Sequence, residues 1–73
     1  MTETTLTGAE LRDLRSRAKL SLGDVTDEIK DLSINELSLI ELGRKDASDE
    51  KREEILRTIR AIARKRAEAV GAA

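Results

Sequence analysis

Residues 20–43 read LSLGDVTDEIKDLSINELSLIELG, and this stretch contains one short pattern twice, as LSLGDV (20–25) and LSINEL (32–37). In both copies a leucine precedes a serine, an acid stands three residues after the serine, and an apolar residue follows the acid. A hydroxyl residue and an acid at this spacing form a capping box, and the two apolar residues form a hydrophobic staple. The pattern therefore predicts two helix starts that are close together.

The same pattern occurs once more, nearer the N-terminus, as LTGAEL (6–11), where Thr7 is the hydroxyl residue. The three copies start 14 and 12 residues apart, which leaves room only for helices of two to three turns. Because the side chain of Asp24 is shorter than that of glutamate, we expect the second capping box to be the weakest. Strand signals are missing, since the chain has little β-branched alternation and no Asn-Gly or Asp-Gly turn.

The C-terminal part of the chain predicts one longer helix. Ser48 is its candidate cap, acids follow in the first turn, and basic residues dominate later, which is the polarity that a helix dipole favours. Gly43 suits the left-handed position that ends the preceding helix. We therefore expect a single all-α domain over 1–73, with a C-terminal helix at about 48–70. The four predicted helices are roughly 8–18, 22–30, 34–42 and 49–69.

Helical spacing of apolar residues predicts a thin aliphatic core. Its expected members are Leu11, Leu14, Ala18, Leu20, Val25, Ile29, Leu32, Leu37, Ile40, Ile55, Leu56, Ile59, Ile62 and Ala63, with Ile34 at the edge. Leu22, Leu39 and Leu42 do not fit this core, because the helical repeat of 100° per residue turns them outward. They are either scattered surface leucines or a contact surface for another chain or for the C-terminal helix.

Composition excludes several classes of function. The 73 residues include no Cys, His, aromatic residue or Pro, and 14 basic against 15 acidic residues give a net charge of −1. The chain thus lacks the ligands of a zinc finger, a thiol nucleophile, a histidine base and the stacking residues of single-strand binders. We expect no enzyme activity, no cofactor and no metal. With no export signal and no membrane-spanning run, a cytoplasmic location is expected.

The leucine-serine pattern continues as Leu37-Ser38-x-Ile40-Glu41-x-Gly43, and Leu11, Leu14-Arg15 and Ala18 precede it. Residues 9–45 thereby resemble the Cro-type (XRE) helix-turn-helix repressor family. The resemblance implies a recognition helix at about 34–42 that lies in the major groove of double-stranded DNA, with basic flanks on phosphates. The DNA-binding residues that it implies are Ser33, Asn35, Glu36, Ser38, Leu39, Arg44, Lys45 and Arg15.

The chain departs from the family pattern in its turn and in its charge. Lys30-Asp31 replaces the usual glycine and adds one residue, and Leu22 stands where glutamine is frequent. Residues 24–41 carry one base and six acids, a net charge of −5, whereas DNA binding depends on phosphate neutralisation. A second hypothesis is therefore a helix-turn-helix scaffold for protein–protein interaction, such as an antirepressor or regulator-binding protein, through the outward leucines.

The C-terminal helix is longer than a 73-residue domain needs, at about 33 Å for 22 residues. Its small apolar residues suggest a seam along which a second copy packs, so we expect a homodimer. The alternative is a frayed helix end that buries little. Residues expected at the dimer or partner interface are Leu22, Leu42, Ile62, Ala63 and Arg66.

Overall fold

The computed structural model describes residues 6–71, and within them all regular structure is helical. The predicted all-α class with a long C-terminal helix is confirmed. The four helices are α1 (Gly8–Arg17), α2 (Leu22–Thr26), α3 (Ile34–Glu41) and α4 (Asp49–Gly71). α1 and α2 each pack against both α3 and α4, so the two shorter N-terminal helices connect the third helix to the long one.

All three predicted capping boxes are formed. Thr7, Ser21 and Ser33 are the N-caps, and each hydroxyl accepts from the backbone N–H three residues later. The carboxylate of Asp24 accepts from the N–H of Ser21 at 2.8 Å, whereas the matching bond to Ser33 is 3.2 Å. The shorter acid therefore does not lengthen this bond, contrary to the expectation that the second box is the weakest.

The second helix ends at Thr26 rather than near residue 30. The chain then tightens, because Ile29 donates its N–H to the carbonyl of Thr26 at 3.1 Å and Leu32 donates to that of Ile29 at 3.2 Å. These bonds span three residues instead of four, as in a 3₁₀ turn. The tighter winding lets both Ile29 and Leu32 reach the core, where they are 2% and 7% exposed.

The other helix ends are close to the prediction. α3 ends one residue early, and α4 extends to Gly71. Gly43 has a φ of 75°, as predicted for the residue after α3. The N–H groups of Gly43 and Arg44 bond to the carbonyls of Ile40 and Leu39, which is a Schellman motif. This motif ends α3 and turns the chain toward α4.

The predicted core is largely confirmed, and it gathers residues from every helix and both staple turns. Two expectations about its margin are wrong. Leu22 is partly buried against the core instead of facing outward, and Ile34 is 53% exposed instead of lying at the core edge. Ile34 opens α3 and faces Gly23 of α2, where an added Cβ would lie 3.7 Å from its Cδ1. The buried apolar residues are Leu11, Leu20, Val25, Ile29, Leu32, Leu37, Ile40, Ile55 and Ile59.

No helix in the part of the chain that the structure describes is both long and apolar enough to cross a membrane.

Two glycines near helix starts differ in the space around them, and this difference predicts opposite effects of alanine. A Cβ on Gly8 would collide with the backbone carbonyl of Ile40, whereas a Cβ on Gly23 would lie 3.7 Å from the nearest atoms, in ordinary contact. We expect Gly8→Ala to destabilise the fold by about 1–3 kcal/mol through overpacking. Gly23→Ala should stabilise it by up to about 1 kcal/mol, because alanine favours the helix.

Urea unfolding of both variants checks this prediction. Far-ultraviolet circular dichroism is the suitable signal, since the chain has no tryptophan or tyrosine. Equal effects of the two substitutions would show that α1 does not approach α3 as closely as the structure has it.

Candidate nucleic-acid interface

The inner side of α3 is fixed to the body of the domain. Leu37, Ile40 and Glu41 are all buried, and their spacing of three and four residues places them on one side of the helix. Leu37 and Ile40 belong to the apolar core. Glu41 is a charged residue on this buried side, so it requires a partner.

The opposite side of α3 is open to solvent. Asn35, Leu39 and Leu42 are spaced by four and three residues and therefore lie along one line. Asn35 is exposed, Leu39 is half-buried and Leu42 is 55% exposed. Ile34 and Ser38 lie beside this line. We call these five residues the outer face of α3, and none of them carries a charge.

The partner of Glu41 is Arg15 of α1. The Nε and Nη2 atoms of Arg15 donate to the two carboxylate oxygens of Glu41 at 2.8 and 2.9 Å, which is a bidentate pair. Nη1 donates to the carbonyl of Leu20 at 2.8 Å. The side chains are 14% and 3% exposed, and the hydrogen bond to Glu41 raises the pKa of Arg15 above its ordinary value.

The structure thus places Arg15, which the family resemblance assigned to DNA, inside the domain as a link between α1 and α3. A signal for this pairing is present in the sequence. Glu41 lies on the apolar stripe of its helix together with Leu37 and Ile40, and a charge on such a stripe is buried only with a partner. The sequence did not reveal which of the several arginines provides it.

Ser33 and Glu36 form the capping box of α3, so their polar side-chain groups are already bonded. The hydroxyl of Ser33 accepts from the N–H of Glu36 at 3.0 Å, and the carboxylate of Glu36 accepts from the N–H of Ser33. The other carboxylate oxygen of Glu36 accepts from Lys45 at 2.7 Å. The bonds from Lys45 and from the Ser33 backbone hold the pKa of Glu36 below its ordinary value. Glu36 is therefore a positioning residue at the start of α3.

Arg44 and Lys45 lie directly after α3, and both are exposed. The ion pair of Lys45 with Glu36 has side chains that are 44% and 37% exposed, so it contributes little to stability. A phosphate that approaches this corner can share or replace the carboxylate. The two basic side chains thus flank the outer face of α3 at its C-terminal end.

The acidic stretch of residues 24–41 is largely neutralised in three dimensions. Four of its six acids are paired with bases from outside the stretch: Glu41 with Arg15, Glu36 with Lys45, Asp31 with Lys51 at 2.8 Å, and Asp24 with Arg66 at 3.4 Å. The charged residues that remain are Asp27, Glu28 and Lys30. Hydrogen bonds hold the pKa of Asp31 low through Lys51 and that of Asp24 low through the Ser21 backbone.

Three arginines of α4 lie away from this interface. Arg57, Arg60 and Arg64 are exposed, and the helical repeat places them on the side of α4 opposite the buried Ile55 and Ile59. They therefore form an outer side of α4 that faces away from the core. Arg66 lies on the inner side and also donates to the carbonyl of Lys19 at 3.4 Å.

The residues expected at a dimer or partner interface are in different surroundings. Leu42 is exposed directly after α3, and Ala63 is half-buried. Leu22 and Ile62 pack partly against the core of their own chain, and Arg66 is paired with Asp24. Three of the five are thus engaged within one copy of the chain.

Neither a protein-family model, nor a curated protein, nor a solved structure matches the chain. The geometry of α3 and its flanks is therefore what indicates a function.

Removal of one partner of the buried pair should be far more damaging than replacement of both. Glu41→Ala leaves the guanidinium of Arg15 buried without its carboxylate, and we expect a loss of about 3–5 kcal/mol. The double variant Arg15→Met/Glu41→Leu replaces both charges by apolar groups and should be more stable than Glu41→Ala alone. Thermal unfolding followed by circular dichroism measures both, and a double variant that is less stable than Glu41→Ala would contradict this account.

Acid should weaken the fold in part through Glu36. Its pKa in the folded chain is below the ordinary value of 4.5, so folding favours the ionised form. Its contribution is complete above about pH 4.5 and is lost as the pH falls through the folded pKa. Glu36→Gln keeps an oxygen for the Ser33 N–H but not the charge. The variant should therefore unfold at a lower temperature than the parent at about pH 7, with the difference vanishing near about pH 2.

Proposed function

We propose that the chain is a small DNA-binding transcriptional regulator in which α3 lies in the major groove of double-stranded DNA. One observation carries this proposal: the inner side of α3 is locked to the body by the core and by the Arg15–Glu41 pair, while its outer face is exposed at both ends and half-buried between them. A short helix held in this way is a shape that fits the groove. The resemblance of residues 9–45 to Cro-type repressors supports the proposal.

The ion pairs remove the main objection to this function. Along the sequence, residues 24–41 are strongly acidic, and duplex DNA would repel such a segment. In the structure most of these carboxylates are bound by basic side chains from other segments. Arg44 then remains as the exposed base next to α3, and Lys45 beside it can exchange its exposed pair with Glu36 for a phosphate, so both are placed to contact phosphates at the C-terminal end of the helix.

A second copy of the chain belongs to the proposal. One α3 of eight residues covers few base pairs, and a symmetric pair would place two such helices on successive half-sites. The last buried residue of α4 is Ile59, and α4 continues to Gly71. This extension, which includes Ala63 and the 77% exposed Val70, is the segment with free surface for a second copy.

Protein binding through the outer face of α3 is the second candidate. The exposure of Ile34 and Leu42, at 53% and 55%, favours it, since exposed aliphatic residues on one face of a helix are typical of contact surfaces. Leu22 contributes less than expected because it is partly buried. An antirepressor or regulator-binding protein that uses this face would show no affinity for duplex DNA at low salt.

A gel-shift titration with random-sequence duplex tests the DNA-binding proposal. Binding should weaken steeply between about 50 and 200 mM salt, with a slope of about −0.9 for each neutralised phosphate. Arg44→Ala should lower the magnitude of this slope by about 0.9, because one phosphate contact is lost. The same titration on a palindromic duplex counts the copies bound, and two are expected.

Arg57→Ala is the matched control, since it removes the same charge from the outer side of α4, before the extension that is proposed for a second copy. It should leave the slope unchanged. No shift at about 50 mM salt, or equal losses for the two variants, would contradict the proposed interface and favour the protein-binding candidate.

A further inference from the structure

We infer that the outer face of α3 reads A·T base pairs through the 5-methyl groups of thymine. This inference rests on the proposed function and adds the class of sequence that it selects. The outer face is defined by Ile34, Asn35, Ser38, Leu39 and Leu42, so three of its five side chains are aliphatic. In the major groove, the thymine methyl is the only apolar group that a base pair presents.

The polar chemistry of the face points to the same base pairs. Guanine is read best by arginine or lysine, and the outer face has neither. Cytosine is read by a carboxylate, and the nearest one, Glu36, is held by Ser33 and Lys45. Asn35 remains, whose amide matches the N6 and N7 atoms of adenine. Asn35 is exposed at the beginning of the line that continues through Leu39 and Leu42.

The dimensions of the face fix how many base pairs it reads. From Asn35 to Leu42 the helix rises about 10 Å, which corresponds to about three base pairs along one strand. Asn35 then lies over an adenine at one end, and Leu39 and Leu42 lie over thymine methyls toward the other. Arg44 follows Leu42 in the chain and then lies near the phosphates at the edge of the groove. The expected half-site is therefore about three consecutive A·T pairs.

The test begins with selection of preferred sites from a random duplex pool and continues with deoxyuridine in place of thymine. Deoxyuridine keeps all hydrogen-bonding groups of the base and lacks only the methyl. Each contacted methyl that is removed should weaken binding about four-fold. Leu42→Ala should weaken binding to the thymine duplex by a similar factor and should leave binding to the deoxyuridine duplex nearly unchanged.

Arg57→Ala is the control, because it also shortens an exposed side chain, but on the outer side of α4 and before the extension that is proposed for a second copy. It should bind both duplexes like the parent. Asn35→Ala should lose the preference for adenine at its own position and keep the response to deoxyuridine.

The outcomes separate this inference from the proposed function. Selected sites rich in G·C, or equal affinity for the thymine and deoxyuridine duplexes, would overturn the inference while DNA binding stands. Absence of binding to any duplex would overturn the proposed function and the inference together. The inference is established if the parent chain binds the thymine duplex more tightly than the deoxyuridine duplex while Leu42→Ala binds both equally.

Discussion

The bidentate ion pair between Arg15 and Glu41 sets the position of α3, because its guanidinium bonds to three oxygens from two other segments. It joins α1, the turn that leads into α2, and the last turn of α3. An isolated eight-residue helix is not stable in water, so α3 depends on what holds its inner side. The buried ion pair fixes the orientation of α1 and α3 in addition to the apolar contacts beside it, since its hydrogen bonds form only at one orientation of the two helices.

The helix starts were predictable because their causes are local. Each capping box needs only residues that are three apart, and Gly43 marks the end of α3 by the same kind of local rule. The end of α2 had no such signal. It is set by the need of Ile29 and Leu32 to enter the core together, and this requirement depends on where the other helices lie. The exposure of Ile34 likewise depends on how α2 and α3 are placed, since Ile34 faces Gly23 of α2.

The ion pairs around α3 were the least predictable feature, since the two residues of a pair are far apart in the sequence. Arg15 and Glu41 are separated by 26 residues, and Asp24 meets Arg66 only because α4 folds back over α2. The net charge summed along residues 24–41 therefore overstates the negative charge of the surface near α3. Charge that matters for a partner is the charge left after such pairs form.

The outer face of α3 is unusual within this chain. Charged residues make up 40% of the sequence, yet the line formed by Asn35, Leu39 and Leu42 has none, although two of its three residues are exposed. Stability does not require this, because a lysine or glutamate at an exposed helix position favours the helix more than an uncovered asparagine does. In the proposed function the two requirements of DNA recognition are divided between neighbours. Arg44 and Lys45 meet the phosphates, which fix position, and the uncharged line meets the bases, which determine sequence.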